Sequence, residues 1–195
     1  MGSGTCKKDK DWSHNFHFRG LHQTKVMKPI DLIEHPEGGR FREVFRSAKM
    51  VSTQGGSTRS ALTHIYFSLK PGEVSKFHRV SSDEVWNLYQ GPGLNLYTWD
   101  GANIPPRCIT LSAGRNCFCH VIPAGTWQAA EPISDTVLVG CSVAPGFEFS
   151  DFTLIDPNSE DAKRLICTAP EMARYTWNIA INFKFVWRQC ILKIF

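Results

Sequence analysis

From Arg40 to Ala144 the chain runs as short segments of strand-forming residues set apart by clusters of turn residues. RFREVFRSAKMVS, TRSALTHIYFSL, KFHRVSS, DEVWNLYQ, LNLYTWD, CITL, CFCHVIP and TVLVGCSVA each suit a strand, rich in β-branched and aromatic residues or alternating apolar with polar. QGGS, KPGE, GPG, DGANIPP, SAGRN, PAGT and PISD separate them. With no helix of ordinary length between the runs, this spacing predicts an antiparallel sandwich or barrel. Ahead of them KPIDLIEHPEGG, from Lys28, begins at a Pro and stops at Gly38-Gly39, which predicts one short N-terminal helix.

The two ends break the pattern. Residues 1–28 are polar, rich in Lys and His and show neither period, which predicts a flexible arm. In the last stretch, WNIAINFKFVWRQCILKIF, 13 of 19 residues are apolar. Ile179, Phe183, Val186, Cys190 and Ile194 share a helical face, while Ile179, Ile181, Phe183, Phe185 and Trp187 alternate as a strand would. Both readings stay open. Such a segment can dock a partner or a membrane surface, or pack loosely as an appended terminus. The organisation expected is therefore an arm at 1–28, one domain at 29–176 and an apolar tail at 177–195.

Composition narrows the choice of partners. The formal charge of the 195-residue chain is +4, but residues 1–28 carry six Lys/Arg against two Asp/Glu, while residues 29–156 carry ten against thirteen. The folded body is slightly acidic, which argues against nucleic acid as its partner. Seven cysteines, an odd number with no two-residue metal-knuckle or redox spacing, together with a polar N-terminus, point to free thiols and a cytoplasmic location. No apolar run is long enough to span a bilayer.

The densest chemistry lies between Gly72 and Gly91, GEVSKFHRVSSDEVWNLYQG. His78 and Val80 are two apart on one run and share a face, as do Glu84, Trp86 and Leu88 on the next. Gly72, His78, Val80, Glu84 and Gly91 are spaced as in the first motif of the cupin superfamily, and Pro123-Ala-Gly-Thr-Trp-Gln128 resembles the second. HPEGGRFREVFRS, THIYFSL, PAGTWQAA and VGCSVAPGFEFSDFTL extend the likeness in order, so that residues 29–176 resemble the cupin-5 family. The resemblance implies an all-β double-stranded β-helix, or jelly-roll barrel, a homodimer, and a pocket at the barrel mouth. It also implies kinship in fold with sugar-nucleotide epimerases.

Departures from the family pattern bear on the chemistry. Metal-binding cupins use three His and one Glu, whereas the matching positions here are His78, Val80, Glu84 and Gln128. Valine has no electron pair to give and an amide oxygen is a poor partner for a metal that prefers imidazole. Asn87 stands where many relatives carry a further His. The expectation is no cofactor and no tightly held divalent metal.

Without a metal, the epimerase likeness implies His78 as a base beside Glu84, with Tyr97 or Tyr66 as the acid. The plainer alternative is a hydrogen-bonded His78–Glu84 remnant lining a binding pocket. Trp86 and Trp127 are candidate walls for a base or sugar, with Gln128 beside them. Arg42, Arg46 and Arg79, with Arg40 and Arg59, are candidate phosphate contacts. The reading that follows is a dimeric single-domain protein that binds a small anionic metabolite, a nucleotide or nucleotide-sugar. Its alternatives are a sugar-nucleotide isomerase and a non-catalytic protein that docks through its tail.

Overall fold

The computed structural model describes residues 31–176 apart from Gln54. The arm at 1–28 and the tail at 177–195 lie outside the described residues. Thirteen strands are described: β1 (Ile33–Glu34), β2 (Arg40–Arg46), β3 (Met50–Ser52), β4 (Thr58–Ser60), β5 (Thr63–Leu69), β6 (Ser75–Val80), β7 (Asp83–Gln90), β8 (Leu94–Trp99), β9 (Arg107–Leu111), β10 (Cys119–Ile122), β11 (Trp127–Pro132), β12 (Val137–Ala144) and β13 (Phe152–Leu154). They form a six-stranded sheet in the order β1-β2-β5-β12-β7-β10, a five-stranded sheet in the order β13-β6-β11-β8-β9, and a separate β3-β4 hairpin.

The architecture corrects three expectations. Neither large sheet closes on itself, since β1 and β10 bound one and β13 and β9 the other; the closed double-stranded β-helix, or jelly-roll barrel, is not formed. Nor is the domain all-β. Helix α1 (Glu160–Thr168) and a 3-10 segment (Pro170–Tyr175) cover one sheet, giving a cupin-like mixed sheet and helix fold. The short N-terminal helix is also absent among the described residues, where Ile33–Glu34 instead pairs with β2.

Alternation decides which side chains fill the space between the sheets. Phe67 and Leu69 of β5, Trp86 of β7, Leu94 and Leu96 of β8 and Val139 of β12 pack into one buried cluster drawn from both sheets. The outer face of the five-stranded sheet presents Phe77, Trp99, Trp127 and Ala129, buried beneath Ala162 and Leu165 of α1 and beneath Tyr175. Helix α1 is set by Ser159, whose hydroxyl accepts the Ala162 amide, by Glu160 and Asp161 in its first turn, and by apolar residues three and four apart.

The turn between β1 and β2 positions the site. His35 and Gly39 close it through backbone hydrogen bonds, and the Glu37 carbonyl accepts the Lys76 amide of β6 at 2.8 Å. Gly38 takes φ 111°, and a Cβ there would stand 2.2 Å from the Val74 carbonyl oxygen. Gly38 thus permits close approach to the residue leading into β6 and Gly39 to the Ser68 carbonyl of β5, and the pair does not end a helix. Gly38→Ala is expected to cost about 1–3 kcal/mol from backbone conformation alone, with the overlap in addition. Urea denaturation measures it; an unchanged midpoint would remove the assignment.

Candidate functional site

Between the sheets a cavity of about 90 Å³ opens to solvent, lined by residues of both sheets and of the 145–151 loop. Its inner wall is polar. Glu37, His78 and Glu84 are 5%, 2% and 6% exposed, yet all three line it. His78 sits on β6 with Nδ1 2.8 Å from the Lys76 carbonyl. A carbonyl can only accept, so Nδ1 carries hydrogen, and Nε2 lies 3.3 Å from Glu37 Oε2. Ser75 donates its hydroxyl to Glu37 Oε1 at 2.8 Å, and His35 Nδ1 lies 3.3 Å from Oε2. Burial works to raise the Glu37 carboxyl, but His78, His35 and the Ser75 hydroxyl outweigh it and hold it below its ordinary value.

Glu84 is pushed the other way. Burial raises its carboxyl, Glu37 adds to the rise, and His78, Gln128 and Cys141 only partly offset it. Gln128 of β11 donates to Glu84 Oε2 at 2.6 Å while its own oxygen accepts the Trp86 indole N–H at 2.9 Å. Burial likewise pushes the Cys141 thiol, beside Glu84, well above its usual range.

The outer wall is aromatic. Phe147, Phe149 and Phe152 cluster at the mouth, with the His35 ring stacked near Phe149 at 6.1 Å. Phe149 is 55% exposed, and Arg46 stands beside it at the rim. Arg46 meets Glu43 at 2.8 Å and Glu148 at 2.7 Å, while Arg59 grips Asp151 with two bonds of 2.7 and 2.9 Å. The mouth loop is therefore tied to β2 and β4 by arginines.

Among the residues singled out from sequence, His78, Val80, Glu84 and Arg46 come together at this cavity, with Gln128 directly behind Glu84. The others do not. Tyr97 packs against Tyr175 beneath the helical cover and donates to Glu131 at 3.0 Å, and Tyr66 meets Tyr89 edge to face on the outer face of the six-stranded sheet. Trp127 is buried with the helix and carries Arg79 over its ring at 4.5 Å. Trp86 is 1% exposed in the core and reaches the site only through Gln128. Arg42 pairs in register with Tyr66 on the outer face.

The separation of Arg42 from Arg46 has a local cause. Register slips between Glu43 and Phe45, leaving Val44 as an extra residue; beyond it Arg46 faces Thr63, which lines the cavity. A β-bulge reverses the phase of a strand, so Arg40 and Arg42 lie on the outer face while Arg46 lies on the cavity side. Sequence reasoning assigned no role to Glu37, His35, Cys141 or the three mouth phenylalanines, although HPEGG and GFEFSDF stand in the blocks compared. The unusual density of Phe at 147, 149 and 152, in the loop leading into β13, was the available signal.

Metal ligation is poorly served by these donors. Both ends of the Gln128 amide are engaged, Val80 has none to offer, and His78 directs its nitrogens at Lys76 and Glu37. Among the described residues no group of three or more His, Cys, Asp or Glu is arranged to hold a metal ion. No described helix is long and apolar enough to cross a membrane.

Two packed antiparallel sheets with a His- and Glu-bearing cavity between them place the domain among cupins. The chain belongs to the Cupin_5 family, cupin superfamily (DUF985), whose model matches residues 24–155. It is 28% identical over 166 residues to the Saccharomyces cerevisiae uncharacterized protein YML079W, covering 76% of this chain and 81% of that one. Among solved structures it is similar to a hypothetical protein from Leishmania major, with 29% identity, a TM-score of 0.60 and coverage of 74% of this chain and 90% of the other. It is also similar to protein SO0799 from Shewanella oneidensis, with 29% identity, a TM-score of 0.60 and coverage of 75% and 91%.

Proposed function

We propose that the cavity binds a small ring-bearing metabolite of the nucleotide or nucleotide-sugar class, with one ring enclosed and the phosphate at the mouth. The observation that carries the reading is the pairing of an aromatic mouth with a buried polar wall of Glu37, His78 and Glu84. Apolar walls with a few convergent polar groups are what small-molecule sites use. At about 90 Å³ the cavity has room for about six to nine waters, which suits a base or sugar ring. Phe149, half out in solvent, supplies a face for stacking. Arg46 is the cation at the rim, and its partners are half-exposed carboxylates, so a phosphate can compete for it.

A thermal-shift panel of nucleotides and nucleotide-sugars tests the reading. A subset is expected to raise the melting temperature of the full chain, and Phe149→Ala to cut that shift by more than half. No shift across the panel would end it.

Proton transfer on a sugar-nucleotide is less well supported by this geometry. Tyr97 and Tyr66 lie away from the cavity, and both nitrogens of His78 already face protein acceptors. In this arrangement His78 fixes Glu37 and does not reach toward a ligand.

A further inference from the structure

The β1–β2 turn brings a second imidazole to the cavity. His35 lines it with a side chain 7% exposed. The turn fixes the residue at both ends, since its amide donates to the Gly39 carbonyl at 3.1 Å and its carbonyl accepts the Gly38 amide at 3.0 Å. Nδ1 points back into the turn, 3.4 Å from the Glu37 amide nitrogen and 3.3 Å from Glu37 Oε2. The other nitrogen, Nε2, has no hydrogen-bonding partner among the described residues.

Four phenylalanine rings neighbour the imidazole instead. Phe41, Phe67 and Phe152 meet it edge to face at 4.6, 6.0 and 5.7 Å, and Phe149 lies at 6.1 Å with its plane 28° from that of the imidazole. A phenyl ring has no lone pair and no N–H or O–H, and its face makes at most a weak hydrogen bond, so these neighbours do not replace the water that Nε2 gives up on burial.

The other polar side chains of the cavity are answered within the protein. His78 faces the Lys76 carbonyl and Glu37, Glu84 accepts from Gln128, Thr63 accepts the Phe147 amide, and Arg46 holds Glu43 and Glu148. A buried polar atom left over in such a site calls for a partner, and a ligand can supply it.

We infer that His35 is the ligand-binding imidazole of the cavity, pairing through Nε2 with a polar atom on the edge of the enclosed ring. The inference rests on the ring-binding role proposed above and adds to it the contact that orients the ring. His78, which the motif spacing marks, positions Glu37; His35, from outside that spacing, meets the ligand. The ligand class narrows accordingly. The ring carries a carbonyl, a hydroxyl or a ring nitrogen where it meets the imidazole, as a pyrimidine or a sugar does and a plain hydrocarbon ring does not.

Uridine 5′-monophosphate titrated into the full chain and into three His35 variants tests this, with a melting temperature recorded for each. The amide of Gln reaches the place of Nε2, that of Asn reaches only the place of Nδ1, and Phe keeps a flat ring while removing both nitrogens. His35→Gln is expected to bind within about threefold of wild type, and His35→Asn and His35→Phe about tenfold or more weakly than wild type. The Gln and Asn variants carry the comparison should His35→Phe not fold. A folded His35→Asn or His35→Phe that binds as wild type does overturns the inference while the nucleotide reading stands. A folded His35→Gln as weak as His35→Asn overturns the assignment to Nε2 in the same way. Absence of binding to wild type ends the nucleotide reading, and the role of His35 falls with it.

Discussion

Replacing Glu37 by Leu is expected to destabilise the domain by about 1–3 kcal/mol for each buried polar partner it leaves unsatisfied. The carboxylate receives Ser75 at 2.8 Å and faces His78 and His35 at 3.3 Å each, within walls that leave it 5% exposed. Leucine fills much of the same space but strands two imidazoles and a hydroxyl. The pH dependence carries the signature. Folding lowers the Glu37 carboxyl below its ordinary value, so its contribution is present above that value and is lost as pH falls through the lowered one. The gap between wild type and Glu37→Gln should thus be largest near neutrality and close on acidification. Urea midpoints measured across that range check both statements, and a gap that grows in acid would contradict them.

Trp86→Ala is expected to cost about 3–5 kcal/mol through the cavity it opens. Trp86 is among the largest fully buried side chains, packed edge-on against Phe67 at 5.8 Å. A second loss is specific to this position. Without the indole N–H the Gln128 oxygen, 0% exposed, loses its donor, which adds about 1–3 kcal/mol. Trp86→Phe separates the two, since it keeps most of the packing and removes only the hydrogen bond. It should lie between wild type and Trp86→Ala, and equal midpoints for Trp86→Phe and wild type would show that the indole bond contributes nothing.

Much of the strand order was legible, because alternation and turn residues are local signals. What stayed hidden depends on partners distant in sequence. Strand β11 is an instance: WQAAEP is poor in β-branched residues, yet it lies between β6 and β8, where small Ala129 and Ala130 are fully buried. Its place in the sheet, not its propensity, makes it a strand.

The site was legible in the same uneven way. His78 and Glu84 stood out because motif spacing marks them, but the partner of His78 arrives from a turn some forty positions earlier, held by a backbone bond from Lys76 to Glu37. Tyr97 and Trp127 shared the plausible chemistry of the inner residues and were assigned to the pocket on residue type. Their strands turn those positions toward α1 and Tyr175 instead. Openness of the sheets was equally beyond reach, since it depends on whether β1 and β10 find partners.

The central claim is that the cavity between the sheets holds one ring of a small phosphorylated metabolite. Val143 lines that cavity and is nearly buried, so Val143→Phe places an aromatic ring where the ligand ring would lie. The direct measurement is equilibrium titration of uridine 5′-monophosphate into the full chain and into this variant, with melting temperatures recorded for both. The account predicts saturable binding to wild type, and a folded Val143→Phe whose affinity is about tenfold or more weaker. Absence of saturable binding to wild type, or equal affinity in a folded Val143→Phe, would contradict it.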